Sequence, residues 1–310
     1  MSGWFKYFTY ASFIFLVLAL HKANYLVIPT VYSVYDLAVS FLFLFLSFWS
    51  GATCWRMILK KNNYHICEKE SLASVGLTVF GKYIPGKVWA IMGRAAYIGQ
   101  KKSLPIHKLA AISMDAQIIT LWIGLVFGAF GLFLLGGLGA WGWSILLLWL
   151  VLTLLLFGKF SQVIGKFLMK RIVKKEINFP SLSFRHTLGI LPWFVLYWAL
   201  WTIGFYLLVK SLSDIDVPFS VGFAFPLAGT LGILAIVVPG GLGVREGAIV
   251  AYLSLAGLSL TLATSISIAS RLWYVIGEIS IFMVGWAVSH WDKNPSSQPG
   301  ITGNSLEKQK

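Results

Sequence analysis

Charged residues and cysteines are scarce in this chain of 310 residues. Asp, Glu, Lys and Arg make up 12% of the sequence, which is about half of the share in soluble domains. This shortage excludes an ordinary soluble domain, while the 58% of hydrophobic residues and a mean hydropathy of +0.79 exclude a disordered chain. Several apolar runs reach the roughly 20 residues that a helix needs to span a bilayer. The composition therefore predicts an all-α, polytopic integral membrane protein.

The two cysteines and five histidines are too scattered to predict a disulfide framework or a metal site. Cys54 lies in an apolar run and Cys67 in a charged loop, and the sequence has no Cys-x-x-Cys or His-x-x-x-His pair. It also lacks a glycine-rich nucleotide loop ending in Lys-Ser/Thr, so ATP is not expected to act directly. We therefore predict no metal and no cofactor.

Acidic residues are outnumbered by basic ones, 11 to 25, which gives a formal charge of +14. In a soluble protein this imbalance would suggest nucleic acid as a partner. In a membrane protein, basic residues collect in cytoplasmic loops, where anionic headgroups attract them. The basic residues concentrate in loops 58–70 and 159–185, and the second has seven Lys and Arg against Glu176 alone. We therefore predict no nucleic-acid partner and both termini in the cytoplasm.

Six apolar runs are predicted to span the bilayer. They cover about residues 4–20, 34–57, 109–138, 141–157, 188–209 and 260–288. The first lacks a small-x-small cleavage site, so we expect a retained helix rather than a signal peptide. Residues 1–290 then form a single membrane domain, and the polar tail 291–310 is expected to be disordered.

Two further apolar segments, 71–98 and 221–257, are each interrupted by Pro-Gly. Neither can be an unbroken helix, because proline removes a helical hydrogen bond and glycine permits conformations that other residues avoid. Basic residues precede and follow the first segment, so both of its ends are expected on the cytoplasmic side. The same reasoning places both ends of the second segment outside. We predict two re-entrant helix pairs of opposite orientation, buried in protein or lining a watery cavity.

The two broken segments fit an inverted repeat, the first copy about 71–135 and the second about 221–289. Asp115 follows Pro85 by 30 residues, and Arg271 follows Pro239 by 32. Matched broken helices mark the binding site in transporters. The intramembrane charges of Asp115, Arg271 and Glu278 cost roughly 2.5 to 3.5 kcal/mol each, so we expect them to be paired or to face water. Arg271 and Glu278 share a helix face, and Asp115 is the predicted partner of Arg271.

Charged residues flank both breaks, where freed N–H groups and half-helix N-termini can bind anions and an arginine can grip a phosphate. For Lys82 and Lys87, snorkelling to the membrane interface is an equal alternative. No residue is predicted to be catalytic. The candidate substrate-binding and cavity residues are Lys82, Pro85, Gly86, Lys87, Arg94, Asp115, Pro239, Gly240, Gly241, Gly243, Arg245, Glu246, Arg271 and Glu278.

Three stretches resemble one family. They are KYIPGKVW at 82–89, PGGLGVREG at 239–247 and the pair Arg271-x-x-Tyr274. They resemble the transmembrane region of bacterial lysylphosphatidylglycerol synthases and its stand-alone, flippase-like relatives, over essentially residues 5–290. The resemblance implies that the protein lies in the bacterial inner membrane and that lipid moves between leaflets. The cavity positions that it implies are Pro85, Gly86, Pro239, Gly240, Gly241, Gly243, Arg245, Glu246 and Arg271. The aminoacyl-transferase domain of full-length members is not expected here, so lysyl transfer is not implied.

The leading hypothesis is a non-enzymatic flippase for an anionic phospholipid or a polyprenyl-phosphate-linked lipid. Its expected partner is an anionic lipid headgroup, and a homo-oligomer or an envelope-biosynthesis partner stays open. One alternative is an integral-membrane transferase that uses Asp214-x-Asp216, although that loop is predicted outside. Another is an assembly factor that docks through loop 159–185. Asp115, Glu246 and Glu278 are the acidic groups available for coupling to protons.

Overall fold

A computed structural model of the chain describes residues 30–84, 88–136, 139–157, 187–235, 241 and 243–291. Within these ranges every regular element is a helix, as the composition predicts. The α-helices are α1 (Val34–Lys61), α2 (Glu68–Gly76), α3 (Val88–Lys102), α4 (Ile106–Leu134), α5 (Gly139–Phe157), α6 (Leu191–Ser211), α7 (Ala224–Leu234), α8 (Val244–Leu255) and α9 (Leu260–Trp291). Two 3₁₀ turns, Val79–Tyr83 and Phe219–Phe223, precede α3 and α7.

Four helices are long and apolar enough to span a membrane, namely α1, α4, α6 and α9. They have 21 to 32 residues, and at about 1.5 Å per residue even the shortest is long enough to span the hydrocarbon core. They coincide with four of the six predicted spans. The predicted span 141–157 overlaps α5, an apolar helix of 19 residues. The predicted span 4–20, loop 159–185 and the tail after residue 291 lie outside the described residues.

Helices α1 and α6 form a central antiparallel pair. The backbone N–H of Tyr32, just before α1, donates to the carbonyl of Ser211 at the end of α6 (2.9 Å). Beside it, Lys210 Nζ lies 3.4 Å from Asp36 Oδ1. Asp36 in the first turn of α1 and Lys60 in the last turn also complement the helix dipole.

The first Pro-Gly segment is a helical hairpin, which we call hairpin one: α2, the 3₁₀ turn Val79–Tyr83, and α3. Ile84 has extended backbone (φ −73°, ψ 133°), the conformation that a following proline imposes, and the first limb therefore ends at Tyr83. At the open end, Glu70 Oε1 of α2 lies 3.0 Å from Lys102 Nζ and 3.8 Å from Lys101 Nζ of α3. The start of the first limb and the end of the second limb therefore lie at the same end of the molecule.

The second Pro-Gly segment is also a hairpin, which we call hairpin two: the 3₁₀ turn Phe219–Phe223, α7 and α8. The Tyr252 hydroxyl near the end of α8 donates to the Ser220 carbonyl at the start of the hairpin (2.9 Å). Gly243, with φ +80°, turns the chain into α8. Both ends of hairpin two therefore lie together as well, near the C-terminal end of α4, where Gly131 packs against Phe223.

The two hairpins are packed reciprocally between the same two long helices. In hairpin one, α2 packs on α9 and α3 on α4; in hairpin two, α7 packs on α4 and α8 on α9. Glycines allow the close contacts: Gly76 of α2 meets Gly285 of α9, and Gly128 of α4 meets Leu227 of α7. Each hairpin is also preceded by one member of the α1–α6 pair. The order long helix, hairpin, long helix therefore occurs twice in the described chain.

Candidate functional site

Seven residues from the two hairpin tips and from α9 form one charged group in the interior. The end of the first limb of hairpin one supplies two of them, the start of α8 in hairpin two supplies two, and α9 supplies three at i, i+3 and i+7. We call this group the central cluster. Its members are Lys82, Tyr83, Arg245, Glu246, Arg271, Tyr274 and Glu278.

Glu278 joins hairpin one to α9. Its side chain is fully buried, and Oε2 accepts a hydrogen bond of 2.6 Å from the Tyr83 hydroxyl. The ammonium of Lys82 forms an ion pair with Oε1 and donates to the Tyr274 hydroxyl (2.7 Å). A buried carboxylate is stable only when it is paired and hydrogen-bonded, and the tip of hairpin one supplies both interactions.

Arg271 connects the two hairpins. Its side chain is 1% exposed; Nη2 donates to the Tyr83 oxygen (3.2 Å), and Nη1 lies 3.8 Å from Glu246 Oε1. Glu246 in turn accepts the Gly243 N–H at 2.6 Å, which caps α8. One guanidinium therefore contacts the tip of hairpin one and the first turn of hairpin two.

Arg245 is buried without an acidic partner. The residue as a whole is 5% exposed. Among the described residues, no carboxylate lies within ion-pair distance of its guanidinium. The guanidinium carbon lies 4.2 Å from the Tyr274 ring centroid and 4.5 Å from that of Phe225. Its Nη2 has no hydrogen-bond acceptor in the described part of the chain. Buried donors without acceptors are rare and costly, which marks this position as one suited to an anion.

Aromatic side chains form a wall around Arg245. Trp201 of α6 stacks on Phe225 of α7 (4.8 Å between centroids), and Trp273 of α9 meets the same ring edge-on at 5.5 Å. The indole N–H groups of both tryptophans, like Nε of Arg271, lack an acceptor among the described residues. The surroundings of Arg245 are therefore largely aromatic and apolar, which strengthens electrostatic attraction to an anion.

Arg94 forms a separate contact on α3. Its Nε donates to the Ser113 hydroxyl (2.5 Å) and Nη2 to the Ser113 carbonyl (2.8 Å) of α4. The guanidinium also covers the ring of Trp55 on α1, 4.7 Å from the centroid. These contacts hold α3 against α4 and α1. Although Arg94 lies beside the first break in the sequence, its contacts in the structure are with Ser113 and Trp55 and not with the central cluster.

The predicted ion pair between Asp115 and Arg271 is wrong. Arg271 is paired with Glu246 and bonded to Tyr83 instead, because the hairpin tips, rather than α4, cover its face of α9. Asp115 lies on α4, which packs mainly on α3, α5 and α7. Among the described residues it has no ion pair.

The structure brings together five of the predicted charged residues and positions two of the glycines beside them. The five are Lys82, Arg245, Glu246, Arg271 and Glu278. Gly241, with φ +68°, packs directly on Gly232 of α7, where a side chain would strike the Gly232 backbone. Gly243 begins α8. The predicted site residues Pro85, Gly86, Lys87, Pro239 and Gly240 lie outside the described residues.

Sequence reasoning missed the aromatic members of the site. Tyr83 lies inside the KYIPGKVW stretch, next to Lys82, and that adjacency was the available signal. Tyr274 is three residues after Arg271 and therefore on its helix face. Trp201 and Phe225 come from two other helices, and nothing in their local sequence distinguishes them from other aromatic residues in apolar runs.

Comparison with known proteins gives a family. No curated protein matches the chain. The family model described as the lysylphosphatidylglycerol synthase TM region matches residues 5–278, a range that includes both hairpins and every residue of the central cluster. Together with the long apolar helices, this match makes the protein a multi-pass membrane protein connected with lipid handling. The chain belongs to the family of the lysylphosphatidylglycerol synthase TM region.

Proposed function

We propose that this protein is a flippase rather than an enzyme, and that it moves an anionic phospholipid or a polyprenyl-phosphate-linked lipid across the bacterial inner membrane. The observation that carries the proposal is the buried guanidinium of Arg245, which has an unused donor and no acidic partner among the described residues. A phosphate headgroup offers the missing acceptor, and an arginine can bind it with two parallel hydrogen bonds.

The charge balance of the central cluster supports an anionic ligand. The cations are Lys82, Arg245 and Arg271, and the carboxylates are Glu246 and Glu278. One positive charge is therefore in excess. A buried charge without a partner is strongly unfavourable. A bound phosphate would pair with the excess positive charge, which no carboxylate of the central cluster neutralises.

The arrangement of the hairpins supports movement of the headgroup between leaflets. Hairpin one begins beside the C-terminal end of α1, where Arg56 contacts Glu68, and hairpin two begins beside the C-terminal end of α6, where Tyr206 contacts Phe219. Because α1 and α6 are antiparallel, the hairpins open toward opposite ends of this pair, and their tips meet at Arg271. In a membrane they are re-entrant pairs of an inverted repeat, with the ends of hairpin one and both termini in the cytoplasm. Such repeats place the binding site near the midplane and expose it to either side by rocking of one repeat against the other.

No observation favours the transferase alternative. Asp214 and Asp216 are both exposed in the loop after α6, and the described residues contain no group of three acidic, histidine or cysteine side chains that could hold a metal ion. The docking loop of the assembly-factor alternative, 159–185, lies outside the described residues, and that alternative stays a prediction.

The test is headgroup translocation in proteoliposomes. Purified protein is reconstituted with fluorescent anionic lipids, and loss of inner-leaflet protection from a membrane-impermeant quencher is followed. Wild type is expected to accelerate translocation of at least one anionic lipid. Arg245→Gln, which keeps a polar side chain but removes the charge, is expected to lower the rate about tenfold or more, since a charge-assisted hydrogen bond is lost.

The matched control is Arg56→Gln. Arg56 lies on α1 with a 29% exposed side chain, 3.6 Å from the partly exposed Glu68, and a pair of this kind contributes little. Its rate is expected to equal that of wild type. A wild-type protein that neither binds nor translocates any anionic lipid would contradict the proposed function.

A further inference from the structure

The ammonium of Lys82 lies in a pocket made by three residues. The Glu278 carboxylate pairs with it, the Tyr274 hydroxyl accepts a hydrogen bond of 2.7 Å, and the Tyr274 ring lies beneath it at 4.2 Å from the centroid. The Tyr83 ring is 5.7 Å away, and the Tyr83 hydroxyl fixes the other carboxylate oxygen. A carboxylate, a neutral acceptor and aromatic faces are the groups that recognise a primary ammonium in general.

The position of Lys82 on the chain makes this arrangement unusual. Lys82 belongs to the tip of hairpin one and its side chain is 26% exposed, whereas Glu278 on α9 is fully buried. The ammonium thus reaches inward from a partly open position, as the amine of a ligand would. If Lys82 were a snorkelling residue, its ammonium would point away from the interior charges.

Both carboxylates of the central cluster are occupied by protein groups. Glu278 is held by Lys82 and Tyr83, and Glu246 by Arg271 and the N–H of Gly243. Arg245, in contrast, keeps an unused donor. The central cluster can therefore offer a donor to a phosphate, but it has no carboxylate left for an amine on the same headgroup.

We propose that Glu278, Tyr83 and Tyr274 form an ammonium pocket that the chain's own Lys82 fills, and that this filling excludes headgroups with a primary amine. Its consequence for lipids rests on the proposed function. The lipids accepted are those with a phosphate and no amine, such as phosphatidylglycerol or a polyprenyl phosphate. Aminoacylated lipids such as lysylphosphatidylglycerol are rejected, because their ammonium finds its binding groups already used.

The first test uses the full-length protein in detergent and a small amine as the probe. Lys82→Ala removes three carbons and the ammonium, which n-propylammonium replaces atom for atom. The variant is expected to melt at a lower temperature than wild type, because it leaves the buried Glu278 carboxylate without its cation. Added n-propylammonium is expected to raise the melting temperature with increasing concentration. Wild type, whose pocket is full, is expected to show no rise.

Three controls separate pocket binding from general effects. Propanol has the same carbon chain without the charge, and sodium chloride has the ionic strength without the amine; neither is expected to stabilise Lys82→Ala. The double variant Lys82→Ala/Glu278→Gln lacks the carboxylate, and it is expected to fold and not to respond to the amine. If Lys82→Ala is recovered only from amine-containing buffer, the pocket is supported in a stronger form. Equal responses of Lys82→Ala and wild type, or loss of Lys82→Ala in every buffer while the double variant folds, would overturn the proposal.

The second test compares lipids. Wild type in nanodiscs is expected to bind phosphatidylglycerol about tenfold or more tightly than lysylphosphatidylglycerol, the difference that one charge-assisted hydrogen bond makes, and Lys82→Ala is expected to reduce this preference. Equal binding of the two lipids by wild type would refute the exclusion of amines even if transport occurs. Rescue by n-propylammonium in a protein that translocates no lipid would instead refute the proposed function and leave the pocket intact.

Discussion

Arg245 and Arg271 are neighbouring buried arginines, but only Arg271 has an acidic partner among the described residues. Arg271 has an acidic partner and a hydroxyl acceptor from two different hairpins. Arg245 has only aromatic faces and an unused donor among the described residues. Buried charges that are paired are costly to break, whereas an unpaired buried charge is a cost in itself. The first arginine therefore stabilises the contact between hairpins, and the second is retained at the expense of stability.

This contrast predicts opposite effects of the same substitution. Arg271→Met is expected to lower the free energy of unfolding by about 3 kcal/mol, because it leaves Glu246 without its cation in the interior. Arg245→Met is expected to leave the melting temperature unchanged or to raise it, while binding of anionic lipid falls. Thermal unfolding in detergent and lipid binding measured on the same samples check both. A larger loss of stability in Arg245→Met than in Arg271→Met would contradict the assignment.

The sequence predicts most of the charged residues of the site, because a charge in an apolar run is unusual and is visible without a structure. It does not predict their pairing. Asp115 is a plausible partner for Arg271 by its position in the repeat, yet Glu246, only one residue from Arg245, takes that place. Pairing depends on which hairpin tip covers α9, and that is a property of tertiary packing rather than of spacing.

At the scale of elements, the close approach of α2 to α9 depends on glycine. A Cβ added at Gly76 would collide with the backbone carbonyl of Ile281 and lie 3.1 Å from the Gly285 Cα. Both neighbours are backbone atoms and cannot rotate away. In a membrane, where apolar surface gives no preference for helix contact over lipid, such close backbone packing is a main source of helix association.

Gly76→Ala is therefore expected to destabilise the protein by about 2 kcal/mol through overpacking. The matched control is Gly247→Ala in α8, where an added Cβ meets no atom within 4 Å; it is expected to be neutral or stabilising by up to about 1 kcal/mol, since alanine favours helix. Denaturation in detergent checks both variants. Equal effects of the two substitutions would show that the α2–α9 contact is not tight.

The open end of hairpin one predicts a dependence of stability on pH. Burial by itself raises the pKa of the Glu70 carboxyl, but the hydrogen bond from the Cys67 N–H (2.9 Å) and the charges of Lys102 and Lys101 outweigh it, and the pKa lies below its ordinary value. A group with a lowered folded-state pKa stabilises the protein above its unfolded pKa, about 4.3 for Glu, and this contribution is lost as pH falls through the folded value.

Glu70→Gln is expected to make the melting temperature less dependent on pH below about 4.3, and to lower stability at neutral pH by up to about 1 kcal/mol, as for a partly exposed ion pair. Glu68→Gln is the control, because Glu68 is on the same helix but its side chain is 41% exposed. Melting curves collected across the acidic range distinguish them. If the melting temperature of Glu70→Gln depended on acidic pH as strongly as that of wild type, Glu70 would not contribute to the contacts that close the hairpin.

A break in each segment is predictable, since Pro-Gly in an apolar run forbids a continuous helix, and the described first limbs end at Tyr83 and Leu234, before Pro85 and Pro239. Their beginnings are less predictable. Hydropathy starts the first segment at residue 71, but α2 begins at Glu68, because the Glu70 side chain satisfies a backbone N–H at its start. A polar helix start of this kind does not register as an apolar run.

In the whole molecule, each half packs part of its hairpin against a long helix of the other half. The first limb of each hairpin packs on the long helix of the other half, and the second limb packs on the long helix of its own half. Neither half can therefore bury its hairpin alone. The repeat order is visible in the sequence, but this exchange is not, because it depends on which of several apolar helices become neighbours. It also couples the two hairpins, so that movement of one changes the surroundings of the other.

The membrane topology predicted from the sequence is testable by cysteine labelling. Cys67, exposed before hairpin one, and Ser103→Cys, exposed after it, are both expected to react with a membrane-impermeant maleimide only in inverted vesicles. Asp214→Cys and Ser259→Cys, exposed on either side of hairpin two, are expected to react only from outside, in cells with a permeabilised outer membrane. The introduced cysteines are placed in a Cys67→Ala background, and the buried Cys54 serves as the unreactive internal control.

Because a re-entrant pair returns to the side it entered, the two positions flanking each hairpin must agree. Opposite accessibility of Cys67 and Ser103→Cys would mean that hairpin one crosses the membrane, and the two halves could then not be inverted copies.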